Sequence, residues 1–378
     1  MQVSKAITLL SQSKRANKPG IPNKDVLSLT NGDPDFDTPD HIRDAAIAAI
    51  REGHTHYTSQ IGEADLRDAI ARHVSGLGGG KFTADDILVT AGATSGLYAT
   101  MKAYLDVGDE VLIHDPSFSL YADIARSIGA VPVFVPWDEK LRLDMDALER
   151  AVSPRTRMLL LNNPVNPTGI VFTQAEVQDV ADFVIRHNML LLSDEAYDHL
   201  VFDGHTMTSA VQFEDLADRL ILINTCSKTF AMTGWRLGYV AARNSLVQAP
   251  TMIHRTSVGF VNSISQRAAL AAFTSQTDWQ RYMLNEYTKR RDLMCGLVND
   301  IPGLHCEKPE GTFYVFVRVE VEMPSTAFTE HCLKHGVAVR NGPEFGPNGE
   351  GYIRLTFAGK PEHFKLGLER LENAMRLL

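Results

Sequence analysis

The sequence predicts an α/β protein built on a doubly wound parallel sheet, and three observations lead there. Short apolar runs recur along the chain at Ile87–Thr90, Val111–His114, Val131–Val135, Met158–Asn162, Met189–Ser193, Leu220–Asn224 and Gly238–Ala242. Several are continuous rather than alternating, as strands covered on both faces require. Stretches of helical periodicity separate them, and the residues able to do chemistry cluster just past the carboxyl ends of the runs, where ligands sit in such sheets.

Taken in order, residues 1–24 are polar with Pro19, Gly20 and Pro22, and read as an arm. Val26-Leu27-Ser28-Leu29 is strand-like and runs into the turn-forming Asn31-Gly32-Asp33-Pro34. Thr38 and Pro39 suit the N-cap and first position of a helix whose apolar face is Ile42, Ala45, Ala46, Ala49 and Ile50. His54 and His56 have no third ligand at a metal-site spacing. A second helix is expected from Glu63 to Val74. The Gly76–Lys81 stretch is no phosphate loop, because it follows a helix and Phe82 stands where Ser or Thr is needed. The better anion site is Ala91-Gly92-Ala93-Thr94-Ser95-Gly96, small residues between a strand and a helix reaching about Leu105.

Later strand ends carry more chemistry. Asp115-Pro116-Ser117-Phe118 and Asn162-Asn163-Pro164-Val165-Asn166-Pro167-Thr168-Gly169 are turns after strands. Asp194 ends an apolar run, so it is either a helix cap or a buried partner for a cation. Lys228 lies among hydroxyls and apolar groups in Thr225-Cys226-Ser227-Lys228-Thr229-Phe230. In a low-dielectric site its ammonium is disfavoured, and the neutral amine becomes a nucleophile toward a carbonyl. A long helical stretch is expected from about Ser265 to Ile301. His331 and His335 have Cys332 where a zinc motif needs glutamate, and read as a solvated helix face.

Composition excludes several classes of function. The 378 residues hold 37 Lys+Arg against 46 Asp+Glu, a net charge of −9, and no basic block, which argues against a nucleic-acid or anionic-membrane surface. The four scattered cysteines and the lack of a long apolar run point to a cytoplasmic chain with neither disulfides nor a membrane span.

The stretch Ser227-Lys228-Thr229-Phe230-Ala231-Met232-Thr233-Gly234-Trp235-Arg236-Leu237-Gly238-Tyr239 resembles the cofactor-lysine segment of the class I (class I/II) aminotransferases. These are pyridoxal-phosphate (PLP) enzymes of fold type I. Other matches follow in the same order from about Gly32 to Ala358. The resemblance implies a large domain with a mostly parallel seven-stranded sheet and a smaller C-terminal α/β domain. It divides the chain into an arm with part of the small domain (1–40), a cofactor-binding domain (41–265) and a small domain (266–378).

The resemblance also implies roles. Lys228 carries the cofactor covalently and moves protons, Asp194 faces the pyridine nitrogen, and Asn166 and Tyr197 bond its phenolic oxygen. Phe118 stacks on the ring, while Ala93, Thr94, Thr225, Ser227 and Arg236 form the phosphate cup, joined by Tyr57 from the partner of a homodimer with shared active sites. Gly32 and Arg354 meet the substrate carboxylate, with Phe118 and Asn166 beside it. The implied reaction moves an amino group between an amino acid and a 2-oxo acid. PLP-dependent lyases, cyclopropane-forming enzymes and oxidases share these residues and stay open as alternatives. A silent sensor domain does not suit the acidic charge or the expectation of no DNA-binding module ahead of Gly32. Thr94 stands where some acid-specific relatives carry an extra cation, so the reading leans to a neutral or apolar donor, with Arg255, Val258 and Phe260 undecided.

Overall fold

The computed structural model describes residues 3–11, 13 and 25–378; the expected arm begins not as irregular chain but with a helix, Lys5–Leu10, packed on the helix Leu120–Ile128, and its Pro19, Gly20 and Pro22 lie outside the described residues. Strands in chain order are Leu27–Ser28 (β1), Ile87–Thr90 (β2), Glu110–Asp115 (β3), Val131–Pro136 (β4), Thr156–Asn162 (β5), Leu190–Asp194 (β6) and Leu220–Thr225 (β7). Then come Gly238–Ala241 (β8), Leu304–His305 (β9), Tyr314–Val319 (β10), Val337–Ala338 (β11), Arg340–Asn341 (β12) and Tyr352–Thr356 (β13).

Seven strands form the central sheet in the order β2-β8-β7-β6-β5-β3-β4. Only β8 runs against its neighbours, β7 and β2. The apolar runs are continuous because both faces are covered. In β5, Leu159 and Leu161 enter one core while Met158 and Leu160 enter the other, and in β7 Leu222 opposes Ile221 and Ile223 in the same way. Each such side chain contributes roughly 1.5–3 kcal/mol when withdrawn from water. Strand β4, with Pro132 and Pro136 and partial exposure, takes an edge, where a missing N–H costs little.

The smaller unit is the antiparallel sheet β12-β13-β10-β9. Strand β1 joins it, since it pairs with β11, and Leu29 packs in a core with Leu355 and Phe357. The helix Trp279–Asn299 presents Met283, Tyr287, Met294 and Val298 to that core.

Three local expectations need correction. His331 and His335 are half-buried rather than a solvated face, and the His331 ring N–H donates to the Ala374 carbonyl at 2.9 Å. Thr38 is not an N-cap: its hydroxyl donates to the Ala231 carbonyl (2.7 Å) and accepts from the Trp235 indole (2.9 Å). The helix Asp40–Arg51 therefore starts behind Pro39 with no side-chain cap, and Thr38 anchors the lysine segment instead. The long helical stretch is two helices, Ser263–Thr274 and Trp279–Asn299, because Ser275 turns extended and the chain changes core. Ala268, Ala269 and Ala272 of the first pack in the large unit's core, its helix lying on Asp40–Arg51 and Ala64–Gly76.

Candidate active site

A cavity of about 580 Å³ opens where the carboxyl ends of β5, β6 and β7 meet the small sheet. Asp194, the last residue of β6, is buried at its base. One carboxylate oxygen accepts from the Tyr121 hydroxyl at 2.8 Å and the other from the Ala196 N–H at 3.2 Å. Neither partner is a cation, and burial pushes the carboxyl up to about 6, with both hydrogen bonds opposing the rise.

Strand β7 delivers the lysine. Thr225 ends it and caps the single turn Cys226–Thr229, its hydroxyl accepting from the Ser227 N–H (3.2 Å) and donating to the Leu237 carbonyl (2.9 Å). The Lys228 ammonium donates to the Gly32 carbonyl at 2.7 Å. Burial lowers its pKa below the ordinary lysine value; Tyr314 and Asp33 oppose the fall, while Arg354 and Arg236 add to it. From beneath, Asp198 holds this segment on both sides of the lysine by accepting from Asn224 (2.9 Å) and Thr229 (3.3 Å). His73 and His199 bring ring nitrogens within 4.8 Å of the same carboxylate.

An anion-binding end lies opposite. Gly92, at φ 81°, precedes the helix Ala93–Tyr104, whose first N–H groups have no intrahelical acceptors. Arg236 reaches that terminus in a left-handed conformation (φ 54°), donating to the Thr233 carbonyl at 3.0 Å. A Cβ on Gly92 would lie 2.6 Å from the guanidinium, so glycine is what lets the arginine approach. Ala93, Thr94 and Ser227 line this end.

The small unit supplies the other wall. Arg354, on β13, is buried, donating to Asn166 Oδ1 at 2.9 Å and to the Thr30 carbonyl at 2.7 Å. Its guanidinium carbon lies 3.8 Å from the Tyr314 ring centroid, and its Nε–H has no hydrogen-bond partner among the described residues. The hydroxyls of Tyr314 and Tyr197 are 3.2 Å apart. Glycine at position 32 is needed by the protein itself, because a Cβ there would lie 1.7 Å from the Tyr314 hydroxyl.

Gly32, Ala93, Thr94, Phe118, Asn166 and Asp194 thus share one cavity with Tyr197, Thr225, Ser227, Lys228, Arg236 and Arg354. Tyr57 does not join them: it is 85% exposed and stacks on Phe260 with centroids 4.4 Å apart. Arg255 and Val258 are exposed on the neighbouring helix end. Tyr121, Tyr314, Arg340 and Asp198 are among the cavity and support residues not singled out from sequence. Tyr121 follows Phe118 by one helical turn and Tyr314 stands in the Gly311-Thr312-Phe313-Tyr314 run, so both had a signal. Arg340 and Asp198 had none.

These residues fit a planar aromatic aldehyde that carries a phosphate and a ring nitrogen. The helix terminus with Arg236 suits a dianion, the neutralisable Lys228 amine suits an aldehyde, and Asp194 lacks the cation that a protonated ring nitrogen supplies. Arg354, with an unused N–H, suits a carboxylate.

A chain so built is a PLP-type enzyme, and comparison with known proteins places it more closely. Residues 24–371 match the family described as aminotransferase class I and II. The chain is 36% identical to an aspartate aminotransferase of Pyrococcus horikoshii over 99% of its own length and 97% of the relative's. It is 37% identical to aromatic-amino-acid aminotransferase 2 of Thermococcus litoralis, with 93% and 92% covered. The crystal structure of an aromatic aminotransferase from Pyrococcus horikoshii superposes with a TM-score of 0.90 at 38% identity, covering 94% of this chain and 96% of that one. The protein belongs to the class I and II aminotransferases: it has the type I fold, uses pyridoxal phosphate, and transfers amino groups between amino acids and 2-oxo acids.

Proposed function

We propose that Lys228 holds the cofactor and moves the substrate's proton, with Asp194 and Arg354 fixing the two charged ends of the reacting assembly. Bound pyridoxal phosphate supplies an electron sink that acidifies the substrate Cα–H. Asp194 keeps the ring nitrogen protonated. Arg236, the hydroxyls of Thr225 and Ser227, and the N–H groups at Ala93 and Thr94 hold the phosphate. Phe118 packs on the ring, and Asn166 and Tyr197 bond its phenolic oxygen. Arg354 clamps the α-carboxylate, with Gly32 and Asn166 beside it, which orients the Cα–H toward Lys228 Nζ. That amine takes the proton from Cα and would deliver it to the cofactor's aldehyde carbon, C4′. The observation that carries the reading is a buried carboxylate without a cation facing the same cavity as an amine of lowered pKa.

We further propose a cytoplasmic homodimer in which Tyr57 reaches the neighbouring phosphate. The exposed Tyr57–Phe260 stack supports this, since two aromatic rings are costly to leave in water. Four buried free cysteines suit a reducing compartment, and among the described residues no helix is long and apolar enough to cross a membrane. The small domain, proposed from sequence to start at 266, is better placed after Thr274, because the preceding helix packs in the large core.

The test is a half-reaction. Protein mixed with one amino acid and no acceptor should yield one oxo acid per site and the amine form of the cofactor, without ammonia. Catalytic release of ammonia, or consumption of oxygen with peroxide formed, would replace transamination by elimination or oxidation.

A further inference from the structure

Two arginines face each other across one strand pair in the cavity. Arg340 and Arg354 are register partners in the antiparallel β12–β13 pair, so their side chains leave the same face of the sheet. Both line the cavity. Both guanidinium carbons also lie against the Phe345 ring, 5.9 Å from its centroid for Arg340 and 4.9 Å for Arg354. The function proposed above employs Arg354 for the α-carboxylate and Arg236 for the phosphate, which leaves Arg340 without a task.

Arg340 forms an ion pair with Glu344 at 2.7 Å, the two side chains only 13% and 9% exposed. Such a pair is weak evidence of a stabilising purpose, because well-packed apolar residues commonly do as well in its place. Its position suggests an exchange instead. Arg340 opens on the reaction cavity, while Glu344 lines a second cavity of about 270 Å³ behind Phe118 and Phe345, where Arg126 is another wall residue. A ligand carboxylate arriving at Arg340 replaces one singly charged anion by another, and Glu344 keeps polar surroundings when it lets go.

We propose that Arg340 is a second anion subsite, taking the side-chain carboxylate of a four- or five-carbon dicarboxylic amino acid or oxo acid whose α-carboxylate lies on Arg354. This rests on the transaminase reading and names its substrate class. An arginine exchanging the Glu344 carboxylate for another matches a monoanion; a phosphate dianion calls for the kind of cup found at the helix terminus beside Arg236. With a neutral substrate, Glu344 keeps the cation compensated, so apolar donors are accepted as well. The extra cation that an acidic donor needs is therefore on β12, not in the turn at Thr94.

The test compares glutamate with phenylalanine as donors, and succinate with propionate as unreactive ligands, in cofactor-loaded protein. Arg340→Met should lower the glutamate-to-phenylalanine ratio of kcat/KM about 10- to 100-fold and weaken succinate relative to propionate by a similar factor. Arg340→Lys should restore part of the loss, and Glu344→Gln should raise the ratio above that of the native protein. If Arg340→Met slows both donors equally, or leaves the preference for succinate intact, the arginine is only a staple of β12 and the proposal fails. Should that variant not fold, an unmoved ratio in both Arg340→Lys and Glu344→Gln overturns it equally. A native protein that takes up no pyridoxal phosphate sinks the underlying reading instead.

Discussion

The large-unit wall of the cavity and the small-unit wall are electrostatic mirror images. On the first, Asp194 is a buried carboxylate with a phenol and an amide for partners. On the second, Arg354 is a buried cation whose hydrogen-bond acceptors, Asn166 Oδ1 and the Thr30 carbonyl, are both neutral. Each is a buried charge held by neutral partners, and the two charges differ in sign. The Asp194 side calls for a cation at the end of a ring, the Arg354 side for a small carboxylate. Burying a charge among neutral partners costs stability, so a ligand of opposite charge stabilises either wall.

The largest expected effect comes from discharging the first wall. Asp194→Asn should reduce turnover roughly 10²- to 10³-fold, because the ring nitrogen loses its counter-charge. The same change should stabilise the cofactor-free protein. The folded carboxyl titrates at about 6 and the unfolded one near 3.8, so burying the ionised form destabilises increasingly as pH rises from about 4 to 6. Above that range the cost reaches about 2–3 kcal/mol. Urea unfolding at about pH 7.5 should show that gain in the variant, shrinking toward zero near pH 4. Asp115 and Glu195, raised by burial to about 6 and about 7, give both proteins the same background slope.

Next comes the second wall. Arg354→Lys keeps the charge but loses the planar fork, and should raise KM for amino acids about 10- to 100-fold while the cofactor stays bound. A fall in cofactor affinity instead would erase the division of labour between the walls. The smallest effect is expected at Tyr121→Phe, which removes one hydrogen bond to Asp194. Cofactor binding, read by absorbance, should weaken about fivefold, in line with roughly 1 kcal/mol.

The two walls also differ in how far the amino-acid sequence reveals them. The sheet strands were legible within a residue or two, because burial on both faces leaves unbroken apolar runs and the reactive residues fall at their ends. The small unit was harder. Strand β12 has two residues and no periodicity, so nothing local marks Arg340 as a cavity residue. Thr38 has the form of a cap and was diverted by partners about 200 positions away, Ala231 and Trp235. Asp198 supports the lysine segment through contacts that no spacing rule encodes. Tyr57 matches a motif, yet within this chain it stacks on Phe260 outside the cavity.

The account stands most directly on the amine at position 228. Protein loaded with pyridoxal phosphate, reduced with borohydride and digested, should give one cofactor-bearing peptide, that containing Lys228, and Lys228→Ala should give none. A stable adduct on another lysine, or undiminished labelling in the alanine variant, would contradict it.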